Sequence, residues 1–360
     1  MARPNWPHRW PSEDDCISKV HQLLETLHAC PEPAHQEQET ARTVAAFLES
    51  HGMHVETGFG GHGLLVTLGN GPYRLLRADL DALPHGDGAR HGCGHDGHMA
   101  MLAGAMAHMH AEGVEGVAAL FQPAEENGAG MAMCLADPRM AELDVRSAFA
   151  IHNIPGLELG TLEIGPGALA SVGLRATLTG VEAHAASPQT GQSPWPDAHK
   201  LADQIADLAQ GMGPDALATL IHVRLGRENF GTSPGAAIVA ATLRGADDDV
   251  AVMRQAWRAA PTDVQASWDE VDPFPATNNT EAGNDLGRRA AEAVGMRVQR
   301  RERPYPWSED FGHAVAKWGG ALFGLGSGVD QPALHDDAYR FPAELLDQGV
   351  RFWCALGGLP

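Results

Sequence analysis

Between positions 63 and 152 short apolar runs alternate with helix-like stretches, and polar residues gather just beyond the runs. Residues 63–68, 73–80, 116–121 and 147–152 read as strands, whereas 16–28, 36–51 and 97–110 read as helices. Short apolar strands separated by longer helices bury both faces only in a layered α/β fold with a mainly parallel sheet. In open α/β sheets of this kind, sites form at the carboxyl ends of strands. Asp79 and Asp81, Glu125 and Glu126, and His152 all fall at such ends, so one shared site is expected.

The pattern changes near position 170. Residues 172–180, 218–225 and 236–244 read as strands, and 196–211 and 250–260 as helices. This β-α-β-β-α order describes a smaller α+β sandwich inserted into the first domain. Residues 273–279 read as the return linker, followed by a helix over 280–294 and a strand over 321–326. The expected domains are therefore a catalytic part over 1–169, an inserted domain over 170–274 and the rest of the catalytic part over 275–360. No internal repeat or low-complexity segment interrupts this order.

Composition narrows the function classes. With 360 residues, 44% of them hydrophobic, the chain can bury a substantial core. No apolar run approaches the ~20 residues of a membrane span. Residues 1–15 carry prolines, charges and tryptophans without an apolar stretch, which excludes a secretory signal there and makes the cytoplasm the expected compartment. The five cysteines, at 16, 30, 93, 134 and 354, are odd in number and widely spaced, which argues against a disulfide framework. A net charge of −21 without a basic patch excludes nucleic acid as a partner and suits solubility or salt tolerance. No membrane-binding stretch stands out either.

The chemistry concentrates in His91-Gly92-Cys93-Gly94-His95-Asp96-Gly97-His98. One thiol, three imidazoles and a carboxylate this close together suit Zn²⁺, Mn²⁺, Co²⁺ or Ni²⁺. Phe121-Gln122-Pro123-Ala124-Glu125-Glu126 adds two adjacent carboxylates that point different ways, one toward a metal and one toward a substrate. A carboxylate beside a metal-bound water acts as its general base. An acidic pair is equally at home on a solvated loop, so this segment gains its weight from the first. Asp79 and Asp81 share one face of a strand as ligands, as groups that orient ligands, or as a polar strand end. His152 and His335, in Ile151-His152-Asn153 and Leu334-His335-Asp336, are single imidazoles with little weight alone.

Taken together, these segments resemble the M20 family of metallopeptidases and amidohydrolases. The resemblance is strongest to the branch that acts on N-acyl amino acids, aminobenzoyl-glutamate and auxin conjugates. It is carried by Leu27-His28 through Pro31-Glu32, Arg77 to Pro84, His91 to His98, Phe121 to Glu126, Glu182 to Ala186, and Ser308 to Phe311 with Leu334-His335. It implies a catalytic α/β domain interrupted by a lid that is often a dimerisation domain. It implies two divalent ions, Zn²⁺ or Mn²⁺ with Co²⁺ or Ni²⁺ as alternatives, held by Cys93, His95, Glu126, His152 and His335, the thiolate bridging. Glu125 is the implied general base and later acid, Asp81 the carboxylate that orients a ligand histidine, and His184 a donor to the substrate carbonyl. Asp79 stands where other branches carry a ligand histidine and is assigned a supporting role.

Two departures bear on the substrate. The loop between Pro84 and His91 is short, and in Thr232 to Ile238 Gly235 stands where relatives often carry an Asn that touches the substrate, for which the lid loop Arg227-Glu228-Asn229-Phe230 offers Asn229 as a substitute contact. The expected reaction is hydrolysis of the amide bond of a small N-acylated amino acid. Dipeptide cleavage and hydrolytic arylamine deamination are alternatives on the same metals. A non-catalytic binder would lack Glu125 or a ligand, and all are present. A Cys93–His95 thiol nucleophile would survive a chelator, whereas the metal enzyme would not.

Overall fold

The computed structural model describes residues 16–358. The stretch 1–15, and with it the reading that it lacks a signal, lies outside the described residues. The chain divides into two compact units. One comprises the chain up to Gly167, Thr277–Pro304 and the chain from Asp310 onward; the other comprises Ala168–Ala276 and Tyr305–Glu309.

The first unit is built on an eight-stranded sheet. Its strands are β1 (Glu56–Phe59), β2 (Gly63–Leu68), β3 (Tyr73–Asp79), β4 (Val117–Gln122), β5 (Val145–Pro155), β6 (Leu162–Ile164), β7 (Val298–Arg300) and β8 (Gly320–Gly328). They lie in the order β1-β2-β4-β3-β5-β8-β6-β7. The central four, β4-β3-β5-β8, are parallel, while β2 runs antiparallel to β4 and β6 antiparallel to β8. Every residue of β4 is buried, as expected of a central parallel strand whose two faces are both covered.

The longer helices of this unit are α1 (Cys16–His28), α2 (Gln38–Ser50), α3 (His95–Ala111), α4 (Glu281–Ala293) and α5 (Leu345–Gly358). Helix α3 is buried almost all round, so its sequence is rich in Ala, Met and Gly rather than amphipathic. It packs against α1 and α5. The chain leaves β3 through α3 to β4 on one side, then crosses to β5 on the other. The carboxyl ends of β3, β4 and β5 therefore surround a switch in strand order, where ligands bind in sheets of this type.

The second unit is a four-stranded antiparallel sheet in the order Leu217–Leu225, Ala236–Gly245, Ala170–Thr179, Gln265–Phe274. Helices Trp195–Leu208 and Asp247–Arg258 cover one face. Val172, Leu174, Val239 and Leu243 of the sheet pack with Leu201, Ile205, Met253 and Trp257 of the helices. The order is thus β-α-β-β-α-β rather than β-α-β-β-α. Gln265–Phe274 escapes a sequence reading because Asp269, Glu270 and Asp272 obscure its alternation, and its Pro273 is tolerable only because the strand lies at an edge. The short loop after Pro84 is a hairpin of Leu83–His85 with Gly88–Arg90. The other boundaries differ from the sequence reading by a few residues, as element ends commonly do.

Candidate metal centre

Helix α3 begins at His95, and the turn before it carries Cys93. Gly94 caps the helix with φ 89°, and a Cβ there would sit 2.4 Å from Asn153 Oδ1. Only glycine lets this turn close on the end of β5. The close approach brings Cys93 Sγ to 3.5 Å from His152 Nε2. The same sulfur is 3.6 Å from His335 Nε2, on a loop more than two hundred residues away in sequence. His335 is itself left-handed at φ 70°, and its N–H donates to Gly92 O at 2.9 Å.

The donor atoms form two groups that share one thiol. Cys93, His95 and His152 form one, and Cys93, Glu126 and His335 the other, each with donor atoms within 4.8 Å of one another. His95 Nε2 lies 3.8 Å from Glu126 Oε1, and Glu125 shares a third group with these two residues. Cys93, His95, Glu125 and His152 are buried, Glu126 half-buried and His335 exposed.

Hydrogen bonds fix which atom each ligand offers. His95 Nδ1–H donates to Asp81 O at 2.8 Å, and His152 Nδ1–H donates to Asn153 O at 2.9 Å. Both rings therefore turn Nε2 inward, the tautomer control that metal-ligating histidines use. Asp81 Oδ2 accepts from Glu126 N–H at 2.9 Å, so Asp81 steadies a histidine and a carboxylate together. Asp79 has one oxygen 2.8 Å from His98 Nδ1 and the other 2.8 Å from Arg77 Nη1 and 3.5 Å from His95 Nε2. His98 Nε2 lies 2.5 Å from Asn153 Oδ1, and Asn153 Nδ2 donates to Tyr339 OH at 2.5 Å. This chain of bonds backs the turn, the strand end and the loop that supply the donors.

The donor set fits divalent metal ions. His95 Nε2 and Glu126 Oε1 are buried without a hydrogen-bond partner, which is costly unless a cation meets them. Burial raises the Cys93 thiol well above its usual value, with Glu126 adding to the effect. Burial likewise pushes Glu126 up to about 7. Burial lowers His152, helped by His98 and His95, and also lowers His335, which favours the neutral imidazole that a metal ligand needs. For His95 burial acts downward, but Asp79 and Cys93 outweigh it and raise the ring. Burial acts upward on Asp79, but His95, His98 and Arg77 hold it well below the usual carboxylate range.

Other sequence candidates are not members of these donor groups. His91, although in the same short motif, is buried 6.3 Å from the His28 ring, and His28 bonds Asp96 at 2.7 Å. In the second unit His184 is exposed and pairs with Thr232 in a two-residue ribbon. Its Nδ1 accepts from Ala186 N–H at 3.1 Å, which leaves the proton on Nε2. Asn229 uses both polar atoms on its own loop, accepting from Gly231 N–H at 3.0 Å and donating to Thr232 Oγ1 at 3.1 Å. The sequence reading passed over Asn153, Tyr339, Arg90 and Glu37. Of these only Asn153 carried a signal, its place beside His152.

Residues 75–357 match the family model described as Peptidase family M20/M25/M40. The chain belongs to this family. It is 28% identical to the N-acetyl-L-cysteine deacetylase of Bacillus subtilis, over 89% of this chain and 82% of that protein. It is 25% identical to the hippurate hydrolase of Campylobacter jejuni, over 95% and 96% respectively. Its fold is that of the Bacillus subtilis YXEP protein, described as a dinuclear metal binding peptidase of the M20 family. The TM-score is 0.78 at 23% identity, covering 96% of this chain and 98% of that one. As a member of the M20/M25/M40 family the protein is a hydrolase of amide bonds.

Proposed function

We propose that the protein hydrolyses the amide bond of a small N-acylated amino acid with two divalent ions. The observation that carries this reading is the pair of three-donor groups sharing Cys93, with Glu125 beside them. Cys93, His95 and His152 would hold one ion, and Cys93, Glu126 and His335 the other, within the Zn²⁺, Mn²⁺, Co²⁺ and Ni²⁺ class that suits thiolate, imidazole and carboxylate. Such ions, when bound, supply Lewis acidity to a water and to the amide carbonyl. Glu125 takes the proton of the attacking water and then delivers it to the departing nitrogen. That delivery is essential, because an amide anion is too basic to leave unprotonated. Asp81 keeps Glu126 and His95 in register while this happens. His184 donates Nε2–H to the carbonyl oxygen, a contact that matters most as negative charge builds there.

The names of N-acetyl-L-cysteine deacetylase, hippurate hydrolase and the IAA-amino acid hydrolases of Arabidopsis thaliana support an N-acyl amino acid as substrate. We also propose a homodimer through the second unit. Its edge strand Leu217–Leu225 exposes Leu217, Leu220, Ile221, Val223 and Leu225. A cytoplasmic location accords with this reading, and among the described residues no helix is long and apolar enough to cross a membrane.

The test is a substrate panel of N-acetyl, N-benzoyl and indole-acetyl amino acids with dipeptides, run with each metal or with chelator. Chelation should abolish turnover of acylated substrates and added metal restore it. Glu125→Ala should bind the same metal and lose about 100-fold or more in kcat, in line with removal of a general base. Turnover that survives the chelator, or a Glu125→Ala variant near wild type, would overturn the reading.

A further inference from the structure

The turn that carries Glu125 is held in a left-handed shape by a carboxylate outside the donor set. Ala124, directly before Glu125, has φ 52°. L residues other than Asn and Asp rarely stay there without support. Its N–H donates to Glu37 Oε1 at 2.8 Å. The same oxygen accepts from His35 N–H at 2.9 Å, and His35 is also left-handed, at φ 68°. Beyond the two glutamates Asn127 Nδ2 donates to His35 Nε2 at 2.8 Å. The short segment 35–37 thus grips the turn on both sides of Glu125 and Glu126.

Glu37 is fully buried, and burial raises its carboxyl above the usual value. A carboxyl in such a place is costly and is kept only where its hydrogen bonds matter. No charged partner accounts for it: the groups on its Oε1 are backbone N–H donors, and Asp81 nearby is acidic. We propose that Glu37 is a positioning residue for Glu125, its Oε1 fixing the Ala124 N–H and so aiming the Glu125 carboxylate. The proposal rests on the reading of Glu125 as the proton-transfer group. Glu37 acts through the backbone, so it alters the chemical step and leaves substrate binding alone.

The experiment compares Glu37→Gln with Glu37→Asp in the metal-loaded enzyme. Gln keeps the length and the accepting oxygen but not the charge; Asp keeps the charge but falls one methylene short. Hippurate and N-acetyl-L-cysteine are the substrates, and hydrogen exchange over residues 123–127 is read alongside. Glu37→Gln should stay within about 3-fold of wild type in kcat and keep the Ala124 amide protected. Glu37→Asp should lose about 10-fold to 100-fold in kcat with KM little changed, the cost of misplacing a catalytic group by about 1 Å. Its Ala124 amide should exchange faster. The reverse order, Asp active and Gln inactive, would make the role electrostatic and overturn the proposal, as would wild-type kcat and exchange in both. If instead the exchange pattern is as expected but Glu125→Ala keeps its kcat, the role of Glu125 fails while the brace stands.

Discussion

At the scale of single residues the centre is a set of groups that cannot rest without a cation. Burial makes a thiolate at Cys93 and a carboxylate at Glu126 costly, and a divalent ion reverses that cost. A second pair, a half-buried His28 on a buried Asp96, has a simpler pH signature. The His28 ring is raised above 6.5 by its hydrogen bond to Asp96, against the opposing effect of burial. A folded pKa above the unfolded one gives stability that is full below the unfolded value and is lost as pH rises through the folded value. Wild type should therefore lose thermal stability over the pH window that opens near the ordinary imidazole value of 6.5 and extends upward from it. His28→Gln should start lower and change less across that window, which parallel melting curves would show. Equal slopes would assign the pH dependence elsewhere. The residues legible in the sequence were those whose chemistry is local. Cys93 and His95 announce themselves by spacing, and Glu125 and Glu126 by adjacency. Asp79 was left open between roles, and its bonds to Arg77 and His98 now account for both its oxygens. Glu37 and Tyr339 were not legible, because their partners lie 87 and 186 positions away.

At the scale of elements, strand ends and a helix start aim the donors. The strands β3 to β5 were legible because parallel central strands read as largely apolar runs, and the antiparallel β2 beside them because it too is buried along nearly its whole length. The hairpin after β3 was not, since its few residues carry no periodic signal. It nevertheless has a task. Arg90 at its end donates from Nη1 to Asp336 O at 2.7 Å and from Nη2 to His335 O, and pairs with Asp337 at 3.0 Å. One planar fork thus holds the two carbonyls of a loop whose His335 is left-handed. A lysine carries the charge but not the fork. Arg90→Lys should weaken binding of one ion by about 10-fold to 100-fold, as loss of an outer partner of a metal ligand commonly does. Titration of the metal-free protein with Zn²⁺ would measure it. Unchanged affinity for both ions would leave Arg90 a surface contact.

At the scale of the whole molecule, the sequence pattern anticipated the α/β class and missed one strand of the inserted unit. The opposite edge of that unit's sheet is where association is expected. An exposed apolar edge strand is a template for another chain unless it is protected, and Leu217–Leu225 keeps only Arg224 and His222 as polar interruptions beside its threonine. Ile221→Lys should convert the proposed dimer to monomer in light scattering while leaving metal content unchanged. A wild-type protein that is already monomeric would remove the dimer from the reading. The interrupted layout of the first unit also has a consequence for how the molecule is made. Strand β8 pairs in parallel with β5, yet the entire stretch Ala168–Ala276 is synthesised between them. On the ribosome the inserted unit, continuous apart from Tyr305–Glu309, can condense as it emerges, whereas the sheet around it must wait for its later strands. Cys93, His95, Glu126 and His152 all emerge before the inserted unit, and His335 after it. A nascent chain therefore carries a half-assembled set of soft ligands while the inserted unit and the strands after it are made, and the second group of donors closes only once His335 has emerged.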